Sequence, residues 1–418
     1  MTTPRRLLPA AALVPLVLAT ACAGGPDAQG GDALKIASVA TDRAPIEAVI
    51  EKFQEDNPDV EIETTFADTD QYQATLRTQL SSGTAPDVFF AWPGNGNPGA
   101  IEAIAPADYL ADLSEHEWAT DIPESFRPVT QVDGTPYILP MTASAIGAMY
   151  NVEAMEAIGA EPPATWSELL DLCSAAQEDG RVAFAAGLQT DWVTQLVNYA
   201  LVATLVYGET PDFHEQMAEG DATFADSEWR TAMEMYTEMD EEGCFNDDPV
   251  GTSYENSLQQ VADGDAVAVV QVTTSLNQLR SEAGDTEFDM FALPATDSPE
   301  ETLMPGAAGG AYGINADTGN PDLAAEFLDF MAEPENVALY AEEAGALPGI
   351  PTDIYELDPA LETADEFQQS GRTVPFMDQR WPNAEVQSAH FTGVQEVFSD
   401  QAGIDDALAA MDEAYQEE

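Results

Sequence analysis

The apolar positions of this chain fall into two rhythms that take turns from Ala33 onward. LKIASVAT (34–41) reads as a strand. Ile46, Val49, Ile50 and Phe53 then recur at the i, i+3, i+4, i+7 spacing of one helix face, which Asn57-Pro58 ends. VEIETTF (60–66) is a second strand. DTDQYQATLRTQLSSG (68–83) is a second helix, capped by Asp68 or Asp70 and closed by Gly83. DVFFAW (87–92) is a third strand. Alternation at this spacing predicts βαβ units, hence a parallel sheet with helices on both faces. A similar alternation resumes after Gly180, with VAFAAGLQ and DAVAVVQV as strands and amphipathic helices between them. GGAYGIN (309–315) is a further strand. Residues 321–345 are helical, interrupted at Glu333-Pro334 because proline cannot continue the hydrogen-bond ladder.

One stretch breaks its own pattern. YILPMTASAIGAMYN (137–151) is apolar at both ends, yet its middle holds the small, partly hydroxylated Thr142, Ala143 and Ser144, just after Pro140. A buried strand has no use for hydroxyls unless something bonds them.

At 418 residues the chain is too long for one compact core, so two lobes are expected. With 44% apolar residues it can bury real cores. Its 12 Lys plus Arg against 77 Asp plus Glu leave no basic patch to neutralise phosphates, which excludes nucleic acid as a partner. The acids are spread along the chain. They read as a solvated, self-repelling surface suited to salt.

The N-terminus, MTTPRRLLPAAALVPLVLATACAGG, has a basic n-region at Arg5 and Arg6. A short apolar run, Leu7 to Leu18, and the small residues Ala19, Thr20 and Ala21 follow. The run is short and interrupted by Pro9 and Pro15, unlike a membrane span. LATAC resembles the bacterial lipobox, in which the cysteine, here Cys22, is lipidated and becomes the mature N-terminus. Residues 1–21 are then a lipoprotein signal peptide and 22–32 a flexible tether. The other two cysteines, Cys173 and Cys244, are expected to be bridged in an extracytoplasmic protein.

Motifs for catalysis are missing. The only lysines, Lys35 and Lys52, lie in no phosphate loop. His116, His214 and His390 are isolated, and no Cys or His cluster has metal spacing, so neither metal nor cofactor is expected. GNGNPG (94–99) matches G-x-G-x-x-G, but it follows a third strand and contains Pro98. It reads better as a backbone-rich loop at a strand's carboxyl end, where open α/β sheets bind ligands. Trp92 beside it offers a face on which sugar C–H groups stack, or is core packing. Asn95 and Asn97 can both donate and accept.

The order of these signals resembles the extracellular solute-binding proteins of ABC importers, of the class similar to maltose-binding protein (family 1). FQEDNPDVEIETTF and LRTQLSSGTAPDVFFAW look like that family's first helix, strands and Pro-Asp turn. DGTPYILPMTASAIGAMYNVEAMEAIGAEPPATWSEL resembles its Gly-x-x-Tyr-x-x-Pro to Thr-Trp-x-Glu stretch. FALPA, PGAAGGAYGIN and PDLAAEFLDFM resemble its final third. The resemblance covers 33–350 closely and 351–418 loosely.

What it implies is an α/β, two-lobe, periplasmic-binding-protein-like fold (type II). Each lobe would be a mostly parallel sheet flanked by helices, joined by hinge-crossing segments near 140, 294–305 and 347–351. Residues 33–140 and 304–348 would form lobe 1, and 141–300 and 351–418 lobe 2. The ligand site lies between the lobes. From lobe 1 it would take Thr41, Asp42, Tyr72, Trp92 and Asn95. From lobe 2 it would take Ser144, Trp192 and Gln195, with Trp381 as a cap. Gly306, Gly309 and Tyr312 sit on the returning strand. Asp42 either accepts from sugar hydroxyls or pairs with Arg43.

The expected protein is therefore a non-enzymatic, monomeric carbohydrate receptor. It would be held on the outer face of the cell membrane by Cys22 alone and would deliver its ligand to permease transmembrane subunits. A polyamine, peptide or polyol phosphate is the alternative solute. A secreted glycan hydrolase is the alternative from another class.

Overall fold

The computed structural model describes residues 33–284 and 286–417. The expected signal peptide, tether and lipidated Cys22 lie outside the described residues. Fourteen strands are found among the described residues, and the first sheet uses five of them. These are β1 (Leu34–Val39), β2 (Ile62–Ala67), β3 (Val88–Ala91), β6 (Leu139–Pro140) and β12 (Ala311–Ile314), after a small hairpin of β4 (Gln131–Val132) and β5 (Thr135–Pro136). Their order is β2-β1-β3-β12-β6. The first three run parallel, with Leu34 opposite Ile62 and Ile36 opposite Val88. β12 returns antiparallel, Tyr312 opposite Phe90.

The helix Arg43–Asp56 buries the predicted stripe Ile46, Val49, Ile50 and Phe53 against this sheet. Phe53 meets Phe327 and Phe330 edge to face, which brings the helix Pro321–Met331 onto the same layer. The helix Thr69–Ser82 ends as expected at Gly83, whose φ of 68° is left-handed. The break at Glu333-Pro334 also stands, with a separate helix from Pro334 to Ala344.

The second sheet is built around β7 (Thr142–Asn151), a strand buried along all ten residues. It takes in β8 (Val182–Phe184), β9 (Ala266–Val272), β10 (Phe288–Phe291), β11 (Met304–Ala308), β13 (Leu347–Pro348) and β14 (Thr373–Val374). Here the expectation of parallel order is corrected. β9, β10, β11 and β13 all pair antiparallel with β7, and only β8–β9 and β11–β14 are parallel. β9, β10 and β11 reach β7 within the second lobe, before the chain crosses at Gly309–Gly310, and only β13 returns from the first lobe. Cys173 and Cys244 are bridged with Cα atoms 4.8 Å apart, tying the helix Trp166–Asp179 to the chain before β9. Closing so long a loop contributes about 2–4 kcal/mol.

The lobes meet where three chain segments cross. Pro140 pairs with Ala311 on the first sheet, and Thr142 already pairs with Pro348 on the second. Between them, the Met141 N–H donates to the Gly310 carbonyl and its own carbonyl accepts from Gly349 N–H, both at 3.0 Å. The strand pairing puts the second crossing at Gly309–Gly310, beyond the expected 294–305. Residues 304–308 and 347–348 therefore lie on the second sheet and not with lobe 1. Small residues decide this. A Cβ on Gly309 would collide with the Thr142 and Ser144 hydroxyls, and one on Gly349 with the Pro140 carbonyl.

Candidate functional site

The carboxyl ends of β1 and β3 bring Thr41, Asp42, Trp92 and Asn95 to the lobe boundary. Thr41 is exposed and Asp42 half-buried on the 3-10 turn Ala40–Asp42. Asp42 does not pair with Arg43, which bonds Glu47 at 3.4 Å and lies over the Phe66 ring. Its Oδ2 accepts from the hydroxyls of Tyr312, Tyr340 and Ser38. Burial pushes this carboxyl up to about 6, against the three donors that lower it.

Tyr312 is fully buried, so in this arrangement it holds Asp42 and touches nothing in the cleft. Tyr72 is also buried. Its hydroxyl donates to the Ala37 and Phe90 carbonyls at 3.2 and 2.9 Å, clamping β1 to β3. Trp92, half-buried, rests edge-on against Phe90 and Tyr72 and leaves part of its ring open.

The G-x-G-x-x-G loop after β3 reaches the other lobe. Asn95 N–H donates to the Gln379 carbonyl at 3.2 Å, and its Nδ2 to the Pro382 carbonyl at 2.5 Å. Cβ atoms at Gly94 and Gly96 would strike Gln379 and Asp378. These glycines serve close approach between lobes. Asp378 is buried against that loop, and burial pushes its carboxyl up to about 6. The Tyr199 hydroxyl nearby lowers it but makes no hydrogen bond of ordinary geometry.

From the second lobe, Ser144 and Thr142 project their hydroxyls at the bare Gly309 Cα. The Thr142 Oγ1 is buried without a partner. Trp192, half-buried, packs its ring 5.0 Å from that of Tyr254. Gln195, buried, accepts from Gln387 Nε2 at 3.1 Å. Asp191, beside Trp192, stands near enough to Asp70 on the first lobe's helix to raise its carboxyl, after burial and together with Asp68. Gly306 lies under Thr373 of β14, away from the Thr142 and Ser144 hydroxyls.

Trp381 is in the core of the second lobe, among Tyr199, Phe224, Trp229 and His390. It has no exposed ring to cap a cleft. Thr41, Trp92, Asn95, Ser144, Gly309 and Trp192 thus stand near the lobe boundary, Gln195 bonds within the second lobe, and Tyr72, Tyr312 and Trp381 are internal braces. Thr142, Asp378 and Gln379 were not foreseen. Thr142 stood in the stretch that broke its pattern, but nothing local marks Asp378 and Gln379.

Two surface cavities, of about 460 and 440 Å³, lie elsewhere. The first is walled by second-lobe residues such as Leu205, Phe213 and Asp226, the second by first-lobe residues such as Phe53 and Phe330. Neither joins the two lobes, so neither has the geometry of a hinged trap.

A family model for bacterial extracellular solute-binding proteins matches residues 48–369. The sn-glycerol-3-phosphate-binding periplasmic protein of Escherichia coli K12 is 25% identical over 360 residues, covering 79% of this chain and 78% of its own. A binding protein of Brucella abortus strain 2308 is 26% identical over 313 residues, 72% of each chain. Among solved structures, the RafE binding protein in complex with raffinose superposes with a TM-score of 0.78 at 20% identity, over 92% of this chain and all of that one. A Bacillus licheniformis sugar transporter in complex with stachyose gives 0.74 at 18% identity, over 91% and 98%.

Proposed function

Because the chain belongs to the bacterial extracellular solute-binding proteins, we propose that it captures a mono- or oligosaccharide between its lobes and delivers it to the transmembrane subunits of an ABC importer. The observation that carries this is the floor of the lobe boundary. The Thr142 and Ser144 hydroxyls converge on a bare glycine, and each lobe contributes one half-open tryptophan, Trp92 or Trp192. Hydroxyls that both donate and accept, beside aromatic faces, suit a ring carrying hydroxyls on its edge and C–H groups on its faces. Structural neighbours with raffinose and stachyose bound support the same class.

The Escherichia coli relative that binds a glycerol phosphate favours a polyol phosphate as second reading. Such a ligand wants a free cation. Arg43 is engaged with Glu47 and Phe66, and Arg380 with Glu215 at 2.8 Å. Removal of residues 1–21 and lipidation of Cys22 would hold a monomeric, non-enzymatic receptor on the outer membrane face. A Cys22→Ala variant would then appear in the medium.

The test is thermal unfolding with raffinose, maltotriose, a glucosamine trimer, glycerol 3-phosphate, spermidine and a tripeptide. A ligand at a hundredfold excess over its Kd adds about 2.7 kcal/mol. A saccharide is expected to raise the melting temperature by several degrees without being cleaved. A shift with glycerol 3-phosphate, spermidine or peptide and none with any saccharide overturns the reading, as does hydrolysis.

A further inference from the structure

The hydrogen bonds at the lobe boundary form a line that continues past the three covalent crossings. Gly349 N–H donates to the Met141 carbonyl, and Met141 N–H to the Gly310 carbonyl, both at 3.0 Å. Beside them Gly309 N–H donates to the Thr142 carbonyl at 2.8 Å. A trans peptide points its N–H and its C=O to opposite sides, so the Ala308 carbonyl faces away from β7. It accepts from Gln379 Nε2 at 3.1 Å. The Gln379 backbone carbonyl in turn accepts from Asn95 N–H at 3.2 Å, and Asn95 Nδ2 reaches the Pro382 carbonyl at 2.5 Å. The line runs from Gly349 to Asn95 and ends on a contact between lobes that no covalent bond makes.

Strand order explains where this contact falls. β3 lies beside β12 in the first sheet and β14 beside β11 in the second, so the segments that follow β3 and β14 meet next to the Gly309–Gly310 crossing. Each side is fixed to its own lobe. Gly94 N–H donates to the Val129 carbonyl at 2.7 Å and the Gly94 carbonyl accepts from Glu102 N–H at 3.0 Å, whereas Trp381 is sunk in the second core. Burial raises the Glu102 carboxyl, and Arg380 from the other lobe lowers it.

We propose that Asn95 and Gln379 are positioning residues of the hinge: they make a fourth, non-covalent crossing that stays in contact while the lobes open and close, and Asn95 is spent there instead of on the ligand. A ribbon bent about the line of its hydrogen bonds keeps those bonds and changes only φ and ψ in each segment, for which Gly309, Gly310 and Gly349 have the freedom. Neighbouring strands stand about 4.8 Å apart, so a fourth member lengthens the line by about half over what three give. A longer line resists twisting of one lobe against the other and leaves closure as the easy motion. This holds whichever solute the cleft takes.

Distances between paired spin labels in the ligand-free full chain decide it, with Cys22→Ala so that only the introduced thiols react. One pair, Glu102→Cys with Pro382→Cys, spans the contact at exposed positions. The other, Asp70→Cys with Asp191→Cys, is also exposed and spans the boundary past the end of β2, two strands beyond β3, where sheet twist has left the line. The second distance distribution is expected to be about twofold wider than the first, and Gln379→Ala to widen it further by a similar factor. A first distribution as wide as the second overturns the proposal, because the contact then parts when the lobes do. A second distribution that is as narrow as the first, or that Gln379→Ala leaves unchanged, overturns it as well. Should Gln379→Ala unfold early, Asn95→Ala is measured in its place with the same two outcomes.

Discussion

Two half- or fully buried carboxylates flank the boundary between the lobes, and they are placed in opposite ways. Asp42 in the first lobe is surrounded by donors: Tyr312, Tyr340 and Ser38 all turn hydroxyls toward its Oδ2. Asp378 in the second lobe lies against the Gly94–Gly96 backbone, with only the nearby Tyr199 hydroxyl and its own N–H to lower it. Burial lifts both carboxyls to about 6, so a similar perturbation has two origins of use. The first is a brace whose partners are all within the fold. The second is a buried charge that fewer donors support. A raised carboxyl alone would not have separated them; the inventory of neighbouring hydrogens does.

The sharpest way to break this contrast is to delete each acid. Asp42→Ala strands two buried phenols and a serine hydroxyl, and should lower stability by about 2–4 kcal/mol in urea unfolding. Asp378→Asn removes a buried charge that few groups support, and should change stability by less than about 1 kcal/mol or increase it. Equal losses would mean that both acids are braces.

A smaller effect is expected from the glycines that let the lobes touch. Gly94→Ala adds strain at a φ of 72° and a Cβ driven into Gln379, so saccharide affinity should drop roughly tenfold in calorimetry. Gly83→Ala, at a similar φ of 68° but with nothing around its Cβ, is the control. It should cost about 1 kcal/mol of stability and leave affinity alone. If Gly83→Ala weakens binding as much as Gly94→Ala, the contact between lobes is not what Gly94 serves.

The smallest effect is in pH. Both acids have folded values near 6, above the ordinary 3.8, so the folded chain binds more protons than the unfolded chain between those values. Stability should therefore fall as pH rises from about 4 through 6 and level off above. The melting temperature should be a few degrees higher at pH 5 than at pH 7.5. Relief of repulsion among the 77 acids has the same sign, so the informative quantity is the difference between native protein and Asp378→Asn. A flatter profile in the variant sharpens the contrast, and identical profiles remove Asp378 from it.

Much of the fold was legible because its signals are local. The helix stripe from Ile46 to Phe53, the stop at Gly83 and the break at Pro334 each need only neighbours within a turn or two. The sheet order of the second lobe was not legible. Periodicity identifies a strand but carries no direction of pairing, and β7 has antiparallel partners drawn from residues 266 to 348. The site divided along the same line. Ser144, Gly309 and Trp92, which lie at the lobe boundary, were picked out because small or aromatic residues stand out at strand ends. Tyr312 and Trp381 look the same in sequence, yet tertiary packing faces them inward.

By itself the sequence determined the alternation of elements, the absence of a basic surface, the cysteine pair and the family, since each depends on composition or on short spacing. Only the tertiary structure decided the partners of individual polar atoms. Asp42 meets hydroxyls 270 and 298 residues away. Asp378 comes to face a loop whose two glycines have no side chain to offer it. Hydrogen bonding acts over about 3 Å, and which groups come that close is settled by how the sheets stack and where the crossings lie.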